Sequence, residues 1–178
     1  MKITGPVEHF STASKVMHHV SAFAFIAALL IMLWSPDATS LGFELHQSFG
    51  MIVLALYVVR IAWLNWTGHP PALGNQMDKF VARMAHFTMY FIIVAMPLSG
   101  LFITMAKAKS TSIFGLFTIP GFAERNSGLI EISYQVHSLL EIACYVLIAA
   151  HILGTLSHHV VKKDGTFIRM MGANKDAK

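Results

Sequence analysis

Four long apolar stretches alternate with short polar connections along the chain. They cover residues 16–34, 43–66, 84–106 and 134–157. A helix needs about 20 residues to cross a hydrocarbon core of about 30 Å, and each stretch is close to that length or longer. In lipid the backbone must satisfy its own hydrogen bonds, which favours helices. The pattern therefore predicts an all-α integral membrane four-helix bundle that forms a single domain over residues 1–178.

The polar connections contain the residues expected between spans. Ser35-Pro36-Asp37 follow the first stretch, and Gly68 with Pro70-Pro71 follow the second. Pro97 lies inside the third stretch, where a membrane helix tolerates it. The first stretch has no small-x-small cleavage site at its end. We therefore interpret it as a retained first span rather than a cleaved signal.

Composition and charge agree with lipid as the solvent. Of the 178 residues, 55% are apolar and 12% are charged, whereas a soluble domain carries about 25% charged residues. Three of the 13 Lys and Arg residues, Lys107, Lys109 and Arg125, lie on one side of the predicted membrane, and the others lie on the opposite side. This asymmetry predicts that both termini are cytoplasmic. Basic residues confined to the ends of the spans predict no nucleic-acid binding.

The histidines carry the candidate chemistry, because an ionisable side chain inside a span is costly and usually functional. His137 and His151 are fourteen residues apart on the fourth span, so they share a face about 21 Å apart along the axis. His46 lies at the depth of His137, and His18 lies at the depth of His151. Two opposed pairs at two depths predict two haems, each held between two histidines as iron ligands.

Two other histidines are alternatives to His18 as the inner ligand. His19 follows His18 and points about 100° away from it. His86 begins the third span on the inner side. The one cysteine, Cys144, excludes an intrachain disulfide, and the absence of a C-x-x-C-H motif excludes covalent attachment of haem c.

The second span has further features of a cofactor site. Gly50 is one turn from His46 and would let a porphyrin approach the backbone. Arg60 lies fourteen residues after His46 on the same stripe, at the inner depth, where its guanidinium would pair with a haem propionate. The alternative for Arg60 is a side chain that extends to the lipid headgroups.

At these residues the chain resembles the bacterial cytochrome b561 family of four-helix di-haem membrane cytochromes. The matching segments are Met17-His18-His19, His46-x-x-x-Gly50, Val59-Arg60, His86-x-x-x-Tyr90, Pro97-Leu98-Ser99-Gly100, His137, His151, His158-His159, Lys163-Asp164-Gly165-Thr166 and Arg169-Met170-Met171. The resemblance implies that two haems b are bound, by His18 and His151 on the cytoplasmic side and by His46 and His137 on the periplasmic side. The chain departs from the family at His19, where a tryptophan is common.

The resemblance also implies an activity. Members of the family exchange electrons with membrane quinone, and one branch resembles a superoxide oxidase that passes the electron to ubiquinone. We therefore expect lipid, quinone and superoxide as partners. Lys107, Lys109 and Arg125 are then candidate catalytic residues, since basic residues near the outer haem would steer a small anion. The alternatives are an electron-conduit anchor for a partner redox subunit, such as a dehydrogenase or hydrogenase, and a haem-free metal transporter.

Overall fold

The computed structural model describes residues 9–34, 37 and 41–172. In this part of the chain, long helices account for most residues, joined by one small hairpin and followed by a short terminal helix. The elements are α1 (Thr12–Trp34), α2 (Leu41–Thr67), α3 (Gln76–Ala106), β1 (Thr111–Ile113), β2 (Phe117–Ile119), α4 (Ser127–Ser157), a π-helical segment (His158–Lys162) and α5 (Thr166–Met171). Pro36 and the outermost residues of both tails, with their basic side chains, lie outside the described residues.

The four long helices confirm the predicted all-α membrane bundle. Each of α1 to α4 is long and apolar enough to cross a bilayer. Large apolar side chains cover the outer surface, including Phe23, Leu33 and Leu139, each of which is about two-thirds exposed. A surface of this kind would be unstable in water, and it suits contact with lipid chains.

Two of the helices begin well before the apolar stretches that predict them. Asn75 caps α3 by accepting a hydrogen bond from the Asp78 amide, and the Asp78 carboxylate accepts one from the Asn75 amide. Asn126 caps α4 by accepting from the Leu129 amide. These caps allow polar residues to form the first turns, which extend the helices beyond the apolar stretches.

The bundle consists of two helix pairs, with α1 packed mainly on α2 and α3 mainly on α4. A small core of Ile92, Met96, Leu140 and Cys144 joins α3 to α4, and Phe25 of α1 packs against it. The helix passes through Pro97 without ending. Cys144 is buried as a free thiol.

The hairpin between α3 and α4 is an element that the sequence analysis did not predict. Its strands pair antiparallel, with Ile113 opposite Phe117. The hairpin packs on α2, where the Phe114 amide donates to Ser48 Oγ over 2.9 Å and the Phe114 ring meets Phe49 edge-on. We call this end of the bundle the hairpin end.

The opposite end, which we call the terminal end, brings together the start of α1, the α2–α3 connection and α5. Arg169 of α5 donates a hydrogen bond to the Pro71 carbonyl over 3.0 Å, and Lys162 forms an ion pair with Asp78. Lys15 of α1 donates to the Gly172 carbonyl. The segment after α4 is therefore fixed against the bundle by contacts to α1, to the α2–α3 connection and to the first turn of α3.

Asp164 organises the turn between the π-helical segment and α5. Its carboxylate accepts hydrogen bonds from the Thr166 amide and hydroxyl, and it pairs with His158. Desolvation of the carboxylate raises its pKa, but the hydrogen bonds from Thr166 and His158 outweigh this effect and lower the pKa to about 2. The folded carboxylate is thus charged at every pH at which the unfolded one is charged.

We predict that Asp164→Ala loosens the terminal segment and speeds tryptic cleavage after Lys162 and Lys163. Because the folded pKa is depressed, the contribution of Asp164 is fully present above about pH 4, and it is lost as pH falls towards 2. Hydrogen exchange at the Thr166 amide should therefore stay slow down to about pH 3. Equal cleavage rates for parent and variant would contradict this role.

Candidate functional site

The structure brings His46 and His137 face to face near the hairpin end. Their ring centroids are 6.3 Å apart, with the planes at 79°. His46 lies in the second turn of α2, and His137 lies on α4 after three turns that follow the Asn126 cap. We call these residues the hairpin-end pair.

Hydrogen bonds fix the Nδ1 atom of both rings in this pair. His46 Nδ1 lies 2.9 Å from the Ala28 carbonyl oxygen. A carbonyl oxygen can only accept, so Nδ1 of His46 carries the proton. His137 Nδ1 lies 2.9 Å from Ser99 Oγ, whose own hydrogen is donated to the Met96 carbonyl. His137 is therefore the donor, and both rings leave Nε2 unprotonated for a metal.

A cavity of about 430 Å³ contains this pair, between all four helices and the hairpin. This volume lies in the range of about 300–1,000 Å³ found for cofactor and ligand sites. Most of the lining side chains are apolar, and Gly50, Tyr134 and Glu141 line it as well. Glu141 is one turn from His137 and accepts a hydrogen bond from the Tyr145 hydroxyl over 3.0 Å.

Two glycines keep space open beside the pair. A Cβ atom at Gly100 would lie 3.1 Å from Cε1 of His137, which is tighter than ordinary contact. Gly100 thus leaves room for the imidazole. A Cβ atom at Gly50 would lie 4.0 Å from Cβ of Pro97, so α2 and α3 approach closely there. The space next to Gly50 belongs to the cavity.

A second pair, His18 and His151, lies near the terminal end. The ring centroids are again 6.3 Å apart, with the planes at 57°. We call these residues the terminal-end pair. Nη1 of Arg60 lies 3.1 Å from His18 Nδ1, and because a guanidinium can only donate, Nδ1 of His18 is the acceptor in this arrangement and the ring proton is on Nε2. A metal bound at Nε2 would return the proton to Nδ1 and free this Arg60 donor for another acceptor. The Nε atom of Arg60 is buried and has no hydrogen-bond partner among the described residues.

The two alternative histidines have hydrogen-bond partners outside the terminal-end pair. His19 contacts the Lys15 carbonyl through Nδ1 and Sδ of Met171 through Nε2, at 2.6 and 3.1 Å. It therefore connects α1 to α5. His86 contacts the Ala82 carbonyl within its own helix, and its ring lies 6.3 Å from that of Tyr90.

The three basic residues of the α3–α4 connection have different surroundings. Lys107 Nζ donates to the Tyr134 hydroxyl over 2.6 Å and lies 4.7 Å from the centre of that ring. Because Tyr134 lines the cavity, Lys107 lies at its edge. Lys109 and Arg125 are exposed on the same end of the bundle.

Ser99 and Gly100 are the residues of the site whose roles the sequence analysis missed. The sequence pattern assigned them no role beyond the matching segment Pro97-Leu98-Ser99-Gly100. A stronger indication was available, because a serine followed by a glycine inside an apolar span, two residues after Pro97, marks a place where a side chain or ligand approaches the helix.

A four-helix membrane bundle with two facing histidine pairs at two levels defines a class of protein, the membrane cytochromes that hold haem between helices. The family model for prokaryotic cytochrome b561 matches residues 9–173. The chain belongs to the prokaryotic cytochrome b561 family. It is thus a membrane haem protein of the oxidoreductase type, and the family implies haem b and the inner membrane of a prokaryote.

Individual relatives agree with this assignment. Cytochrome b561 homolog 2 of Escherichia coli is 28% identical over 97% of this chain and 96% of its own length. Cytochrome b561 homolog 1 of the same organism is 30% identical over 84% of this chain and 87% of its own length. The protein named probable superoxide oxidase CybB of Yersinia pestis is 32% identical over 71% of this chain and 73% of its own length.

The observed residues fit the haem that the family implies. A metal–imidazole bond is about 2.0 Å long, as in zinc sites, and two such bonds in line with the two ring radii span about the distance between the facing rings. Both pairs have the same separation of 6.3 Å. The unpartnered Nε of Arg60 is a buried donor that a carboxylate could satisfy.

Proposed function

We propose that this chain binds two haems b and oxidises superoxide at the hairpin end, delivering the electrons to ubiquinone. The observation that carries the proposal is the repeated 6.3 Å separation of facing imidazoles at two levels of one bundle. When bound, haem iron cycles between the ferric and ferrous states and so carries single electrons. His46 and His137 hold one haem, and His18 and His151 hold the other.

Charge supports the assignment of the two ends. Lys107, Lys109 and Arg125 belong to the hairpin end, whereas most basic residues of the chain belong to the terminal end or to the tails. The positive-inside rule then favours a cytoplasmic location for the terminal end. The hairpin end faces the periplasm. There Lys107, Lys109 and Arg125, which we call the cationic rim, would attract the small anion superoxide.

The reaction balances without further reactants apart from protons. Two superoxide anions each lose one electron and become two molecules of dioxygen. One ubiquinone accepts these two electrons together with two protons and becomes ubiquinol. The residues of this chain supply binding, orientation and electrostatic attraction in this reaction.

The single most informative experiment is superoxide-driven reduction of ubiquinone by the purified protein alone. We expect quinol formation that depends on superoxide and stops when superoxide dismutase removes it. A red protein with a b-type spectrum but no such turnover would favour the alternative function, an electron conduit that requires a partner redox subunit. A colourless protein would exclude both functions.

We predict that alanine at any of the four facing histidines lowers the haem content from two to one per chain. His46→Ala or His137→Ala should remove the hairpin-end haem, and His18→Ala or His151→Ala the terminal-end haem. The measurement is haem per protein together with the reduced spectrum. His19→Ala is the matched control, since that ring contacts Met171 instead. Two haems retained in a facing-histidine variant would remove that residue from the ligand set.

We also predict that Arg60→Ala weakens retention of the terminal-end haem or shifts its reduction potential. The guanidinium lies beside His18 and has an unused buried donor, which suits a propionate. Arg60→Lys should rescue only in part, because an ammonium lacks the planar fork. Spectra and potentials identical to those of the parent would leave Arg60 with only its contact to His18.

The cationic rim gives a further prediction. Lys107→Glu should slow superoxide oxidation by about tenfold, because steering of a small anion depends on local charge. Lys109→Glu should have a smaller effect, since Lys109 is not held against Tyr134. The rate should fall with ionic strength, as expected for screening over about 8 Å at physiological salt.

The controls for this prediction separate steering from damage. Lys79→Glu reverses an exposed charge at the terminal end and should leave the rate unchanged. Reduction by an uncharged chemical donor should be indifferent to all three substitutions. If the rate of superoxide oxidation changes neither with salt nor with charge reversal, the α3–α4 connection does not recruit the substrate.

A further inference from the structure

The two histidine pairs differ in their hydrogen bonds, although their ring separations are equal. In the hairpin-end pair, both Nδ1 atoms donate to oxygen, at 2.9 Å in each case. The acceptors are the Ala28 carbonyl and Ser99 Oγ. In the terminal-end pair, His18 Nδ1 instead faces a donor, Arg60, at 3.1 Å.

These partners affect the electron-donating power of the imidazoles differently. A ligand histidine that donates its Nδ1 proton to an oxygen becomes more basic at Nε2. A more basic ligand stabilises ferric iron over ferrous iron and so lowers the reduction potential. When Nε2 of His18 binds iron, the ring proton would be on Nδ1, and Arg60 offers that proton no acceptor. The positive charge of the guanidinium beside the ring favours the ferrous state.

Fixed charges near each pair act in the same sense. The Glu141 carboxylate lines the cavity of the hairpin-end pair, and a negative charge there stabilises the ferric state. Arg60 is half-buried beside His18, with Nε fully buried, so water screens its charge less than that of an exposed side chain. Lys107 acts against the trend at the hairpin end. It lies at the edge of the cavity, at the protein surface, where solvent and salt reduce its influence.

We propose that Ser99 and Glu141 are positioning residues that hold the hairpin-end site at a lower reduction potential than the terminal-end site, so that electrons entering at the hairpin end move downhill to the terminal end. In each transfer one electron leaves the hairpin-end site, which is oxidised, and arrives at the terminal-end site, which is reduced. No bond or proton moves between them. This inference rests on the histidine pairs of the proposed function and adds the direction of electron flow.

The test is redox potentiometry of the purified holoprotein, which measures the midpoint reduction potential of each haem. The variants His137→Ala and His151→Ala should each retain one haem, and they assign the two midpoint potentials to the two sites. In the parent we expect the hairpin-end midpoint to be the more negative. Ser99→Ala should move that midpoint to more positive values and leave the other in place. Ser99→Thr keeps a hydroxyl and should stay close to the parent.

Glu141→Gln provides an independent second variant, because it removes the charge and keeps the size of the side chain. It too should shift only the hairpin-end midpoint to more positive values. The low-spin ferric EPR signal of that haem should change in Ser99→Ala, since it reports the ligand field of His137. Thr88→Ala is the matched control on α3. Thr88 makes a similar hydroxyl-to-carbonyl bond, to Met84, but contacts no histidine in the described residues.

The possible results are distinct. A hairpin-end midpoint that is equal to or above the other in the parent overturns the proposal, as do Ser99→Ala and Glu141→Gln variants with parental midpoints. Equal shifts of both midpoints would indicate a general structural effect and would also overturn it. Failure of the proposed function looks different, because His137→Ala would then retain both haems or the parent would contain none.

Discussion

The facing of two imidazoles across the bundle, at a separation that admits one metal atom, is the constraint on which the rest of this structure depends. It is met twice, between α1 and α4 and between α2 and α4. The spacing of fourteen residues from His137 to His151 keeps both rings on one face of α4. His18 and His46 both lie near the start of their helices. Because α1 and α2 run antiparallel, these two histidines meet α4 at different levels.

The low dielectric of the membrane makes the partners of these rings consequential. An unpaired polar group in such surroundings is costly, so the Nδ1 protons of His46 and His137 are placed against Ala28 and Ser99. Ser99 can serve this purpose because its own hydrogen is already donated to Met96. Gly100 follows directly and leaves room for the ring. One short segment of α3 therefore determines both the position and the proton of His137.

The hairpin end combines the cavity of the hairpin-end pair with exposed basic side chains. The helix α3 ends at Ala106, and Lys107 follows at the edge of the cavity, fixed by Tyr134. The hairpin then packs on α2 through Ser48 and Phe49. The result is a polar, cationic rim on one side of the cavity and apolar side chains on the other. Under the proposed function, this arrangement gives an anion an approach from water while the haem stays in an apolar environment.

The sequence by itself determined the membrane class, the four helices and the set of histidines that could pair, because length, hydropathy and helical period depend only on local residues. It could not predict the hairpin, since three-residue strands carry little periodicity, nor the caps that begin α3 and α4 outside the apolar stretches.

Only the tertiary structure decided which rings face each other. His18 is the leading candidate in the sequence, with His19 and His86 as alternatives, and the rotation of α1 against α4 places His18, rather than its neighbour, opposite His151. The partners of Nδ1 were likewise decided by packing, because Ser99 and His137 are 38 residues apart and Arg60 and His18 are 42 apart. Long-range contacts of this kind depend on how the helices are rotated and how deep each one lies, which no local pattern specifies.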